Sequence, residues 1–220
     1  MNWSLALLTL LHLLVPIYWL GGDLGTFYSA GFMMDEKRPA GERLLALKIM
    51  NGIDMAPRTV LILTLPTGLS LAAAKGWLNI APWALAGLWM FSLIWLALAW
   101  AVHLIHGPRG TLARGIDLKI RYAMIALLAG SGVAGLTGHL TMPFFIACKL
   151  LVLAACVTTG VIVRFQLVPL FPAIAAMKAQ GATPQSDAAI RKVLGQTRPT
   201  VQCIWVLVLI ACVLGLGTPV

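Results

Sequence analysis

His12, Lys149 and Asp23 each lie inside an apolar run, where a polar side chain has no water to turn to. A neutral imidazole can ligate haem iron or copper. A lysine can be the opposite ligand when deprotonated, or pair with a propionate or other anion when charged. His12 belongs to a pattern. His12, Pro16, Trp19, Asp23 and Thr26 recur at 4-3-4-3 spacing, so a helix lines them up on one stripe. On a lipid-spanning helix such a stripe must face protein or a cofactor. Pro16 has no N–H for the carbonyl of His12, so the helix is expected to bend beside the histidine. Two readings stand: a buried, hydrogen-bonded histidine, or a ligand.

Lys149 lies about seven residues beyond the turn at Thr141-Met142-Pro143, or ~10 Å deep in a helix. His12 is at comparable depth in the first apolar run. Two polar groups at matching depth can share one site in the outer half of the bundle; the other reading is a lysine that snorkels to the surface or bonds a carbonyl. The other candidates each carry two readings. His103 and His106, at i, i+3 spacing, suit joint metal binding or the negative end of a helix dipole. His139 falls in a turn, as a solvated interface residue or at the edge of a metal or haem site. Asp23 can pair with Arg58 or another basic residue, or relay protons. Met33, Met34, Met50 and Met55 offer thioethers for cuprous copper, but lack an M-x-x-x-M pair and read as gap-fillers. Cys148, Cys156, Cys203 and Cys212 lie in apolar stretches with no C-x-x-C and read as packing residues. There is no Walker loop, dinucleotide fingerprint, HExxH or nucleophile elbow.

The elements that position these residues are apolar. The chain of 220 residues is 60% hydrophobic and 10% charged, with a mean hydropathy of +0.91. That describes an integral membrane protein and excludes a soluble domain. Six apolar segments, roughly 3–30, 56–75, 81–104, 119–138, 142–165 and 200–217, approach the ~20 residues a span requires. All but two of the 16 Lys and Arg residues fall in 33–58, 105–121 and 164–198, the exceptions being Lys75 and Lys149. The positive-inside rule places those three stretches in the cytoplasm and both termini outside, in a bacterial inner membrane. The net charge of +9 thus reports topology rather than nucleic-acid binding. The first segment reads as a retained helix, not a signal peptide, since it lacks an early Lys or Arg and a cleavage site.

Two amphipathic stretches are expected to lie on the inner membrane surface: Glu42–Met50, and Ser186–Leu194 with Ser186 as N-cap and Gly195 as stop. A repeat offset by 62 residues aligns Gly76-Trp77-Leu78 with Gly138-His139-Leu140, Trp83 with Phe145, and Gly87 with Lys149. The fold expected is all-α: one domain over 1–220, with six transmembrane helices that include two related two-helix hairpins.

Leu11-His12, then Trp19, a small pair and Phe27-Tyr28 resemble the first helix of HemJ-type bacterial protoporphyrinogen oxidases and CopD-like membrane proteins. The basic amphipathic stretch Glu42–Lys48, the Pro57…Pro66-Thr67-Gly68 helix and Phe145…Lys149-Leu150 extend the resemblance. It implies a haem b held by the first-helix histidine, a needed lysine, and electrons passed to a respiratory-chain or quinone partner. Carried over by residue, it points to His12 and Lys149 only; Trp19, on the same stripe as His12, is the further cofactor-binding candidate. The HemJ-type proteins have four spans where this chain has six, and Gly87 stands where the first hairpin would carry the lysine. The expectation is a haem b-binding membrane oxidoreductase, able to form an oligomer. The alternatives are CopD-like copper uptake and a cofactor-free membrane anchor for a redox partner.

Overall fold

The computed structural model describes residues 3–105 and 107–218. They form α1 (Trp3–Met34), α2 (Ala40–Ile53), α3 (Met55–Ala74), α4 (Pro82–Leu104), α5 (Pro108–Leu136), α6 (Phe144–Gln166), α7 (Leu170–Gln180) and α8 (Pro184–Gly217). Pro82, Pro108 and Pro184 each open a helix, where a missing N–H costs nothing. Only Asp54 separates α2 from α3. Among the described residues, six stretches are long and apolar enough to cross a membrane, so the chain is an all-α polytopic membrane protein.

The six spans close into a ring. α1 packs on α3, α3 on α4, α4 on α5, α5 on α6, α6 on α8, and α8 returns to α1. Each span contributes to one apolar cluster, including Val15, Ile62, Trp95, Leu128, Val157 and Ile204. The stripe on α1 faces inward. None of His12, Pro16, Trp19, Asp23 and Thr26 is exposed, whereas their neighbours Leu13, Ile17, Tyr18 and Leu24 are.

The two hairpins, α3–α4 and α5–α6, turn alike at the end away from the basic stretches. Gly76 and Gly138 take φ of +73° and +78°, a left-handed conformation that glycine adopts without strain. The N–H of Leu78 reaches the carbonyl of Ala72, and that of Leu140 reaches Ala134. Each leucine N–H thus reaches back six residues, and the two closures repeat 62 residues apart. Trp77 packs edge-on against Phe145, with ring centroids 5.0 Å apart, and joins the two turns.

At the opposite, basic end the structure corrects two sequence expectations. Both amphipathic stretches have a protein partner that the sequence did not reveal, although Leu45 and Ile49 of α2 stay exposed. The apolar faces of α2, α7 and the start of α8 pack together with the end of α1, around Met33, Met50, Ile174, Met177 and Ile190. Protein contact competes well with an interface because it also buries Arg43 completely. The Arg43 Nε–H donates to the carbonyl of Met33 at 2.9 Å, and Nη1 donates to Asp187 at 2.7 Å. The second correction concerns α8, which does not stop at Gly195. Thr183 is the N-cap and Ser186, at N3, completes a capping box; the helix then runs unbroken to Gly217. An interior glycine costs only ~1 kcal/mol relative to alanine, less than losing the packing of Val193 and Leu194. The four methionines flagged in the sequence act as packing residues, with Met33, Met50 and Met55 buried.

Candidate functional site

His12 sits on α1 against α3. Its Nδ1 is 2.9 Å from the hydroxyl oxygen of Thr67. Thr67 is fully buried, and its hydroxyl donates to the carbonyl of Leu63 at 2.7 Å. A hydroxyl has one proton to give, so when that proton goes to Leu63 the hydroxyl accepts at the histidine. The ring is therefore the donor through Nδ1–H, and a neutral His12 keeps its lone pair on Nε2. This is the arrangement by which proteins fix a ligating histidine: the second nitrogen is anchored and the first stays free to bind. Gly68 completes the seat. A Cβ there would lie 3.1 Å from the ring carbon Cε1, so the ring rests directly against the α3 backbone.

Lys149 sits on α6, and its amine reaches α8. A Cβ at Gly215 would lie 2.6 Å from Nζ, so any larger residue would displace the amine. Gly215 belongs to the last turn of α8, whose free carbonyls attract a cation. Cys212 and Lys75 are the other polar groups near the amine. The Lys149 amine acts electrostatically on His12. The pair thus spans four helices, with an imidazole on the α1–α3 side and an amine on the α6–α8 side.

The remaining sequence candidates lie elsewhere. Trp19 is buried in the central apolar cluster beside Val15. Asp23 does not pair with Arg58, as Arg58 forms its ion pair with Asp54 one turn away. The Asp23 carboxyl instead lies near the Trp205 indole on α8, and among the described residues neither Asp23 Oδ2 nor Thr26 Oγ1 has a hydrogen-bond partner. His103 is in the last turn of α4, with its ring edge-on to Trp100 at 6.2 Å, and suits the helix dipole. His106 lies outside the described residues. His139 is exposed in its turn, 2.8 Å from the Thr137 hydroxyl. Among the described residues no three His, Cys, Asp or Glu side chains gather to hold a metal ion.

Two groups escaped the sequence reading. Thr67 was visible only as part of a Pro-Thr-Gly string, although a hydroxyl on an apolar helix is itself a signal. The second group is the buried network around Asp117. Asp117 accepts from the indole N–H of Trp95 at 3.0 Å, from Arg121 at 3.0 Å and from Arg164 at 2.7 Å, tying α4, α5 and α6 together. The i, i+4 spacing of Asp117 and Arg121 was legible in the sequence. Comparison with protein-family models, with curated proteins and with solved structures gives no match.

Proposed function

We propose that this chain is a haem b-binding redox protein of the bacterial inner membrane, in which His12 would hold the haem iron. The observation that carries the reading is the hydrogen bond from His12 Nδ1–H to Thr67, which leaves Nε2 free at a fixed ring orientation. The donor set suits the group: a neutral, anchored imidazole is an ordinary haem ligand. When bound, the haem supplies one-electron chemistry. The protein's part is to hold and tune it. Thr67 fixes the tautomer and raises the basicity of the imidazole, and Gly68 leaves the ring room against the backbone. Lys149 would pair with a haem propionate when charged, or would serve as a second ligand when deprotonated. The resemblance to HemJ-type and CopD-like proteins supports the same pair of residues and an electron acceptor in the respiratory chain. The basic ends of the spans support a cytoplasmic location for α2, α7 and the start of α8, with both termini periplasmic.

The test is a visible spectrum of the purified chain, with metal analysis on the same sample. A Soret band that disappears in His12→Ala supports the reading. Full haem content in His12→Ala refutes it. Stoichiometric copper without a Soret band turns the reading to copper transport, and a partner protein with neither turns it to an anchor.

A further inference from the structure

A second site lies at the basic end, away from His12 and Lys149. A groove of about 410 Å³ runs between the last three turns of α1 and Arg198 of α8. The groove starts at Leu24, about 32 Å along α1 from Trp3, and so lies at the basic end of that span. Its wall changes character along the helix. Leu24 and Tyr28 are apolar and exposed, Phe27 carries Arg198 on its ring face, and Asp35 and Arg38 lie beyond.

The two arginines differ in charge balance. Arg38 is neutralised twice, by Asp35 at 3.2 Å and Glu42 at 2.9 Å. Arg198 has its guanidinium carbon 4.4 Å from the Phe27 ring centroid, has a buried Nε without a partner, and makes no ion pair among the described residues. A guanidinium drawn from water against an aromatic face gains from an anion, and its planar fork matches a phosphate better than any other common group. An acyl chain would lie along Leu24 and Tyr28, and a polar headgroup would reach Asp35.

We propose that this groove binds an anionic phospholipid, with its phosphodiester on Arg198 and its acyl chain against the lipid-exposed face of α1. A soluble phosphate would leave the apolar wall unused. The inference is independent of the haem reading, because the site shares no residue with His12, Thr67 or Lys149.

The test is native mass spectrometry of the full chain in neutral detergent, with equal amounts of phosphatidylglycerol and phosphatidylcholine. The expected result is one phosphatidylglycerol retained per chain in clear preference to phosphatidylcholine, undisturbed by millimolar glycerol 3-phosphate. Arg198→Gln should lower retention about tenfold. Gly31→Leu should do the same while keeping the charge, because Gly31 also lines the groove and a Cβ there meets Arg198 only at an ordinary 3.8 Å. Lys178→Gln, at an exposed site on α7, should leave retention unchanged. Equal retention of the two lipids by the native chain overturns the proposal, whether or not the Arg198 variant folds. So does displacement by glycerol 3-phosphate, or an equal loss in Lys178→Gln.

Discussion

His12 donates Nδ1–H to Thr67 at 2.9 Å, and Thr67 hands its own proton one turn back along α3 to Leu63. A side chain on α1 is thereby oriented by the backbone of α3. Thr67→Val keeps the shape and removes the acceptor. The buried ring donor is then left unpaired, a loss of about 1–3 kcal/mol. The expected outcome is a 10- to 100-fold weaker haem affinity by titration, with Thr67→Ser near native. Native affinity in Thr67→Val would show that the hydroxyl does not position the ring.

Gly68 and Gly87 make a matched pair of probes. A methyl group at Gly68 meets His12 at 3.1 Å, whereas at Gly87 it meets nothing within 4 Å. Gly68→Ala should shift the Soret maximum or lower haem content, and Gly87→Ala should leave both unchanged while gaining helix propensity. Equal spectra in the two variants would remove Gly68 from the site.

Arg43 is the most deeply buried cation, at 0% exposure. Arg43→Met leaves the Asp187 carboxylate and the Met33 carbonyl without their donor. Breaking one side of a buried pair costs about 3–5 kcal/mol. Unfolding in detergent should move to clearly lower temperature, and trypsin should cut the α2 and α7 regions first. An unchanged Tm would mean that α2 is held by apolar contact alone.

Asp117→Asn strips the counter-charge from Arg121 and Arg164 together. The expected destabilisation exceeds that of Arg164→Gln, because the Arg164 side chain is 30% exposed and regains water while Arg121 does not. Thermal melts of the two variants decide the order, and a reversed order would refute the assignment of Asp117 as the hub.

Topology is checked by thiol labelling in intact cells, on a background in which the four native cysteines are replaced. A cysteine at His139 should react with a membrane-impermeant reagent from outside, and one at Lys178 only after lysis. The opposite pattern would invert the bundle.

The sequence made the spans legible because each is a long apolar run. It made the hairpin turns legible because Gly76 and Gly138 must both take positive φ. Helix ends were less legible. The sequence reading began the apolar spans near 119 and 200 and set Ser186–Leu194 apart as a short helix, yet α5 begins at Pro108 and α8 runs from Pro184 into its span. Charge marks where a helix leaves the membrane, not where its hydrogen bonding stops. Likewise, periodicity revealed apolar faces on α2 and on the start of α8, but not that these faces meet each other. The inward stripe on α1 followed from spacing alone. The partners of its polar members did not, since Thr67 and Trp205 come from helices distant in sequence.

The polar cross-links are distributed unevenly. Arg43 with Asp187, Arg191 with Glu36, and Asp117 with Trp95 and Arg164 all fasten helices at the basic end. Toward the other end, His12 with Thr67 and Trp89 with Ser70 are the hydrogen-bonded side-chain ties between helices among the described residues. Such a bundle is riveted at its base and laced loosely at its rim. Its breathing is greatest where the rivets are fewest. The imidazole and the amine both lie toward that more loosely tied rim.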